Sequence, residues 1–555
     1  MRSLIIKGRP VGAVRFVPGE TETEKYALEE LAKYLGRLAG VTADGDYPIR
    51  TEIDRSVGRD GYQIDVGGDG LTIRGGNRRG VLYGVYGFLE KYAGMKFYTP
   101  LLEYEGEGDV TVDEGFSCVP LFEFRQGDGK AYDEEAMTDW TAKVGLNYRL
   151  DEKRGGRFKW VPGFGCHTFA RLTDTAQSES PCLTDPAVFE KALSRVKEAL
   201  AANPGCEVIS VSQNDNKNPC RCARCAAIEE EEGSPMGPIL RFVNAIADGI
   251  RDEYPDVVVE TLAYLYSTVP PKLTKPRPNV CVRYCTIRGC FGHEFSDSTC
   301  RFNRTICEEL RGWGKIHDRI YIWDYVANFA NYIPPYPNFK VLRRNMQFFA
   351  ENGVRGMYPE GQHNAKGYGE FQELRSYLVA RLMWNPFMTD AEYHEEMNGF
   401  LRAYYGEGWR YIRFFIDWTN AEVGENHMRH FWSPFEIIPQ DRYEAAEDTL
   451  EGWWNKAEAL AGERAEYVRR SRMQWRYMKL MLHPDPVEGK KFYDDVVRLH
   501  INWKEDRELP NDPYDFADPP IDWMDLSIYP WERNNPHVLE IKQRRAARAQ
   551  AQAEK

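Results

Sequence analysis

The chain has 555 residues, 42% of them hydrophobic and 28% charged, and carries a formal net charge of −13. At roughly 100–200 residues per domain that length calls for about three domains; no apolar run reaches the ~18 residues of a membrane span. The acidic balance disfavours an extended nucleic-acid surface, where Lys and Arg would have to neutralise phosphates.

The opening sequence MRSLIIKGRPVGAVRF breaks its apolar stretch at Lys7, Arg9 and Pro10, unlike a secretory signal peptide. With 12 cysteines and no export signal, free thiols in a reducing cytoplasm are expected rather than disulfides. Ala27, Leu28, Leu31, Tyr34, Leu35 and Leu38 recur at helical spacing, and Gly40 stands where that helix would stop. Tyr62, Ile64 and Val66 alternate, as do Leu71 and Ile73 after a Gly-Asp-Gly turn, which predicts a hairpin. The run GGNRRG at 75–80 lacks the glycine spacing and the following acidic residue of a dinucleotide fingerprint. It reads as a turn opening a second helix, over 81–92. A small α/β domain is therefore expected over residues 1–117.

Eight strand-like segments follow, at 121–125, 146–150, 158–164, 207–212, 257–266, 280–286, 320–325 and 354–358. Helical segments at 186–201, 236–254, 301–317, 339–352 and 371–384 lie between and after them, the last with Phe371, Leu374, Leu378 and Leu382 on one face. Eight strands alternating with helices predict an α/β fold, a (β/α)8 TIM-like barrel over 118–400. Residues 401–555 read as a helical region, with a long helix over 443–481, proline-rich loops at 506–536 and a charged tail, IKQRRAARAQAQAEK. That tail is expected to be solvated helix or disorder.

In such a barrel the chemistry sits at the C-terminal strand ends, and here those ends are acidic and aromatic. They carry Arg125-Gln126-Gly127-Asp128, Cys166-His167-Thr168-Phe169, Ser212 to Asn216, Tyr264 to Ser267, Trp323-Asp324-Tyr325 and Pro359 to Gln362. Hydrolysis of a glycosidic bond takes one carboxylic acid to protonate the leaving oxygen and a second group to stabilise or attack the oxocarbenium-like centre. Asp215, Asp324 and Glu360 come from three strand ends and are the candidate catalytic residues; each has a competing reading as a helix cap after a βα loop. Arg125, His167, Asn214, Tyr264 and Tyr325 are candidate sugar-binding residues, against a structural role for each. The 14 Trp and 32 Tyr offer stacking faces, although most such rings serve as core.

Cys220, Cys222 and Cys225 form the strongest metal-like pattern. Zinc takes four ligands, the fourth being Cys206 or a distant histidine; packing thiols are the competing reading. Cys281, Cys285 and Cys290 read as small buried hydrophobes, and a cysteine nucleophile paired with His167 has nothing to specify it. No cofactor and no catalytic metal are expected.

The stretch YALEELAKYLGRLAGV, followed by GYQIDVGGDGLTIRGGNRRGVLYGVYGFLEKYAGMKFYTP, resembles the small α/β domain that precedes the barrel in β-hexosaminidases and α-glucuronidases. GCHTFARL, VISVSQNDNKNPCRCARCAAI, FVNAIADGIRDEYPDVVVETLAYLYSTVPPK and GEFQELRSYLVARLMWNP are similar to the proteins grouped as domain of unknown function 4838, so that the resemblance spans roughly residues 20–410. That grouping includes glycoside hydrolase family 163, whose characterised members are endo-β-N-acetylglucosaminidases acting on N-glycans. The resemblance implies a retaining hydrolase that uses the substrate's acetamido carbonyl as nucleophile, with one carboxylate orienting it and another as acid. Related hexosaminidases carry an Asp-Glu pair at the end of the fourth strand, where this chain has Asn214-Asp215-Asn216.

The leading expectation is Asp215 as general acid, with Asp324 or Glu360 stabilising the reacting centre of a β-N-acetylhexosaminide. The alternatives are an α-glucuronidase-like hydrolase using Arg125, Arg283 and Arg288 against a uronate, and a non-catalytic carbohydrate-binding protein. The expected partner is a carbohydrate, an imported oligosaccharide, with no nucleic acid and no membrane; a homo-oligomer stays open.

Overall fold

The computed structural model describes residues 2–127, 134–362, 367–424, 426–483 and 485–502. Asp128, the loops at 506–536 and the charged tail lie outside the described residues.

Near the N-terminus the helix Glu22–Ala39 is opened by a reciprocal capping box between Thr21 and Glu24 and closed by Gly40 in the left-handed conformation. It packs beside the helix Arg78–Ala93 on a five-stranded sheet that contains the expected antiparallel hairpin Tyr62–Val66 and Leu71–Gly75. The GGNRRG run is a turn and helix start, with Asn77 as the N-cap accepting from the Gly80 amide at 2.8 Å. Gly80 is required by close approach: a Cβ there would lie 2.2 Å from the Gly61 carbonyl oxygen.

The central sheet has six parallel strands: β1 Phe124–Arg125, β2 Val208–Ser210, β3 Val258–Ala263, β4 Val280–Cys285, β5 Ile320–Tyr325 and β6 Val354–Glu360, in the order β1-β6-β5-β4-β3-β2. Helices Asn303–Ile316, Phe339–Glu351 and Gln372–Trp384 follow β4, β5 and β6 close to their expected bounds, and Met236–Ile250 precedes β3. Only a single 3-10 turn, Leu265–Ser267, stands between β3 and β4.

Two of the expected strands, 146–150 and 158–164, are not strands. Gly145, Gly155, Gly156 and Gly163 hold positive φ angles of 77°, 94°, 76° and 76°, which bend the chain out of extended geometry. Both segments nevertheless carry hydrogen bonds from β1 towards β2: Asn147 N–H donates to the Arg125 carbonyl (3.2 Å), Phe158 N–H to the Asn147 carbonyl (2.7 Å), and Val161 N–H to the Val208 carbonyl (2.9 Å). Inside this curve lies a small core of Phe124, Phe158, Val208, Cys281, Tyr321 and Tyr358, with Tyr148, Trp160, Val258 and Trp323 packed on it. It is distinct from the large apolar cluster that fills the rest of the protein.

The expected helix over 443–481 is two, Gln440–Leu460 and Ala465–Leu482, because Gly462 takes a φ of 56° and breaks the run. None of the helices among the described residues is long and apolar enough to cross a membrane.

Candidate active site

At the C-terminal ends of the strands lies a basin of about 230 Å³. Tyr264 stands directly after β3, Cys285 closes β4, Trp323 and Tyr325 come from β5, and Glu360 is the last residue of β6. Asp215 enters from the loop after β2, and His167 from the loop before the short helix Phe169–Thr173. His430 and Phe431 reach over from the C-terminal helical region to complete the wall.

Asp215 and Glu360, from opposite parts of the sheet order, therefore share one cavity, but their surroundings differ. Asp215 is exposed on the rim and accepts a hydrogen bond from the Tyr264 hydroxyl at 3.1 Å. Burial, followed by the Asp215 charge, pushes the Tyr264 hydroxyl far above its ordinary range, so it stays a donor. Glu360 is buried and accepts from the Trp323 indole N–H at 2.7 Å. Trp323 is held in turn by the Tyr358 ring, 5.1 Å away, and by the Arg283 guanidinium 4.8 Å above its face.

Beneath the basin Arg283 is paired with Glu260 at 2.8 Å, both buried. Burial raises the Glu260 carboxyl even though Arg283 opposes it. His167 has a φ of 51°, a conformation costly for a side chain with a Cβ and most often kept at functional positions. Its Nδ1 lies 2.9 Å from the Gln213 carbonyl; a carbonyl only accepts, so Nδ1 donates its proton there and Nε2 is the nitrogen left to meet a ligand.

His430 stacks on Tyr325, with ring centroids 5.0 Å apart. Burial, followed by the nearby Arg429 charge, pushes its ring down to about 3, so it is neutral. Neither of its nitrogens has a hydrogen-bond partner among the described residues, an unmet polar group on the wall of a cavity. His430, Phe431, Phe329 and Ile287 were not foreseen from the sequence, and Trp323 was placed at a strand end without a role. The aromatic run His430-Phe431-Trp432, between two helices, was the available signal.

Three expected site residues lie elsewhere. Asp324 is on the other face of β5: successive side chains alternate, so Tyr321, Trp323 and Tyr325 face the interior while Asp324 joins Ile320 and Ile322 towards the helices. There it accepts from the Thr286 hydroxyl at 2.6 Å, and burial pushes its carboxyl up to about 6. Arg125 is fully buried, donating to the Gly145 carbonyl at 2.7 Å and to Asp60 at 2.8 Å. It ties the N-terminal sheet to the central one. Asn214 uses its amide to accept from Ala170 N–H at 2.7 Å and to donate to the Ala176 and Glu179 carbonyls at 3.1 and 2.9 Å. Asn214 thus positions the loop that carries His167.

The structure gathers thiols in two places. Cys182, and not Cys206, joins Cys220, Cys222 and Cys225; Cys290, expected as a small hydrophobe, groups with His293, Cys300 and His427. Cys281 is in the interior core and Cys285 lines the basin.

The family model described as domain of unknown function (DUF4838) matches residues 104–417, and that of glycosyl hydrolase family 20, domain 2, matches residues 12–90. No curated protein sequence matches the chain. Among solved structures, a family GH115 4-O-methyl-α-glucuronidase with specificity for decorated arabinogalactans aligns with a TM-score of 0.54 at 13% identity, over 88% of this chain and 76% of that one. A GH138 enzyme targeting pectin rhamnogalacturonan II gives 0.46 at 10% identity, over 88% and 74%. The N-acetyl-β-hexosaminidase of Streptomyces plicatus gives 0.44 at 14% identity, over 72% and 92%. The first of these likenesses is one of fold alone.

Proposed function

The chain belongs to the DUF4838 family, and we propose that it is a glycoside hydrolase whose two working carboxylates are Asp215 and Glu360. The observation that carries this reading is their convergence, from the ends of two different strands, on one basin walled by aromatic rings. We read the six strands and the two hydrogen-bonded segments beside them as a (β/α)8-type barrel over 118–400, preceded by a domain over 1–117 and followed by a helical region.

In this reading a single sugar unit occupies the basin of about 230 Å³. Asp215, at the exposed rim where an aglycone would leave, protonates the glycosidic oxygen. Glu360, deeper and held by the Trp323 N–H, supplies negative charge to the oxocarbenium-like centre or to a reacting acetamido group. His167 Nε2 meets a sugar hydroxyl, and Tyr264 and Tyr325 position the ring. Leu262 and Ile287 offer an apolar niche suited to an acetamido methyl. That niche favours an N-acetylhexosaminide, and a reacting acetamido group would cleave its β-anomer with retention. A uronate is less well served: among the described residues no Lys or Arg lines the basin, and Arg283 and Arg288 are committed to Glu260 and Glu309.

Hydrolysis of β-linked N-acetylhexosaminides followed by proton NMR tests the proposal. The β-anomer of the released sugar is expected first. The α-anomer appearing first would overturn retention, and saturable sugar binding without turnover of any glycoside would overturn hydrolysis.

A further inference from the structure

We propose that the protein binds two structural zinc ions, one in an all-thiolate site formed by Cys182, Cys220, Cys222 and Cys225 and one in a mixed thiolate–imidazole site formed by Cys290, His293, Cys300 and His427. In each group the four ligand atoms lie within 4.8 Å of one another. Zinc–sulfur bonds of ~2.3 Å in a tetrahedron place the sulfurs ~3.8 Å apart, and a mixed sulfur–nitrogen edge is ~3.5 Å. The Cys182 and Cys222 sulfurs are 3.6 Å apart, far beyond the ~2.05 Å of a disulfide. In the second group Cys290 Sγ stands 3.3 Å from His293 Nδ1 and Cys300 Sγ 3.6 Å from His427 Nδ1.

The groups around the ligands fit zinc as well. His293 Nε2 lies 3.1 Å from the Gly424 carbonyl, so its N–H is spent there and Nδ1 presents a lone pair. This is the arrangement that orients a zinc-bound imidazole. The Met428 amide donates to Cys290 Sγ at 3.3 Å and the Cys225 amide to Cys222 Sγ at 3.4 Å, each supporting negative charge on sulfur. Thiolate and imidazole donors select zinc over magnesium or calcium. Four protein ligands leave no open position, so these are structural and not catalytic sites.

Each site ties a stretch of chain that lines the basin to a second stretch. The all-thiolate site links the loop containing Cys182 to the loop after β2, five residues beyond Asp215. The mixed site links the loop after β4 to the segment in which His430 and Phe431 follow His427 by three and four residues. Zinc thereby fixes the rim on two sides. Metal binding by these residues does not depend on what the basin hydrolyses.

The test is zinc content by elemental mass spectrometry on the full chain, purified under reducing conditions without chelator. About two zinc ions per chain are expected, falling to about one in Cys222→Ser and in His427→Ala, and to none in the double variant, while His427→Cys keeps two. The unaltered protein, loaded with cobalt(II), is expected to show thiolate-to-cobalt charge-transfer bands, a readout that stands if a variant fails to fold. No zinc above background after equilibration with zinc, or content unchanged by both single variants, would overturn the proposal. A non-reduced intact mass showing disulfides within either group would overturn that site.

Discussion

Asp215 and Glu360 were legible as candidates because each stands within three residues of the end of an expected strand, a rim position in a barrel. Asp324 also stands at a strand end, yet the pattern Ile320-Tyr321-Ile322-Trp323-Asp324-Tyr325 shows why it lies away from the basin. The aromatic residues take the interior face and the aliphatic ones the helix face, and Asp324 falls with the latter. Its carboxyl, pushed up to about 6 from 3.8 by burial, makes it a stability group. A folded-state value above the unfolded one means that the folded protein holds the proton more tightly. Its contribution is therefore fully present below about pH 4 and lost as pH rises towards 6, a difference of about 3 kcal/mol. Asp324→Asn is expected to flatten that part of the stability profile, to raise Tm at pH 7 relative to the unaltered chain, and to leave turnover within about threefold. Thermal melts from pH 4 to pH 7 beside a turnover assay check this; lost turnover in a folded variant would return Asp324 to the chemistry.

At the scale of elements, the helices were readable from their apolar stripes and caps, whereas segments 146–150 and 158–164 were misread as strands. Apolar content alone does not distinguish a strand from a buried irregular segment. Here the glycines at 145, 155, 156 and 163 decide the backbone. Asp60, a residue of the N-terminal sheet region that no motif marks, anchors the first of these segments through Asn147. It accepts from Arg79 at 2.8 Å, Arg125 at 2.8 Å, Asn77 at 2.7 Å and Asn147 at 2.9 Å. Burial alone would raise its carboxyl, but the two guanidiniums and two amides hold it well below the usual carboxylate range. Asp60→Asn would leave two buried guanidiniums without a countercharge. A loss of about 3–5 kcal/mol is expected in denaturant unfolding, and a loss below about 1 kcal/mol would show that the cluster does not clamp the two sheets together.

Over the whole molecule, the N-terminal α/β unit and the central parallel sheet followed from period and spacing. The basin did not, because it needs the C-terminal helical region: His430 and Phe431 lie beyond the family match that ends at residue 417. The same separation in sequence hid the second thiol–imidazole group, in which His427 is 127 residues from Cys300. Cys220, Cys222 and Cys225 were visible by their spacing, and their partner Cys182 was not, since only the fold brings that loop beside them.

The central claim, that Asp215 delivers a proton while Glu360 stabilises the reacting centre, is tested most directly by leaving-group dependence. Rates for the unaltered chain, Asp215→Asn and Glu360→Gln would be measured on aryl N-acetyl-β-glucosaminides whose phenols range from acidic to weakly acidic. Asp215→Asn is expected to lose about 10²–10⁴-fold on the poor leaving groups and far less on the good ones, while Glu360→Gln loses on both. Equal losses by Asp215→Asn across the series, or turnover by Glu360→Gln at the unaltered rate, would contradict it.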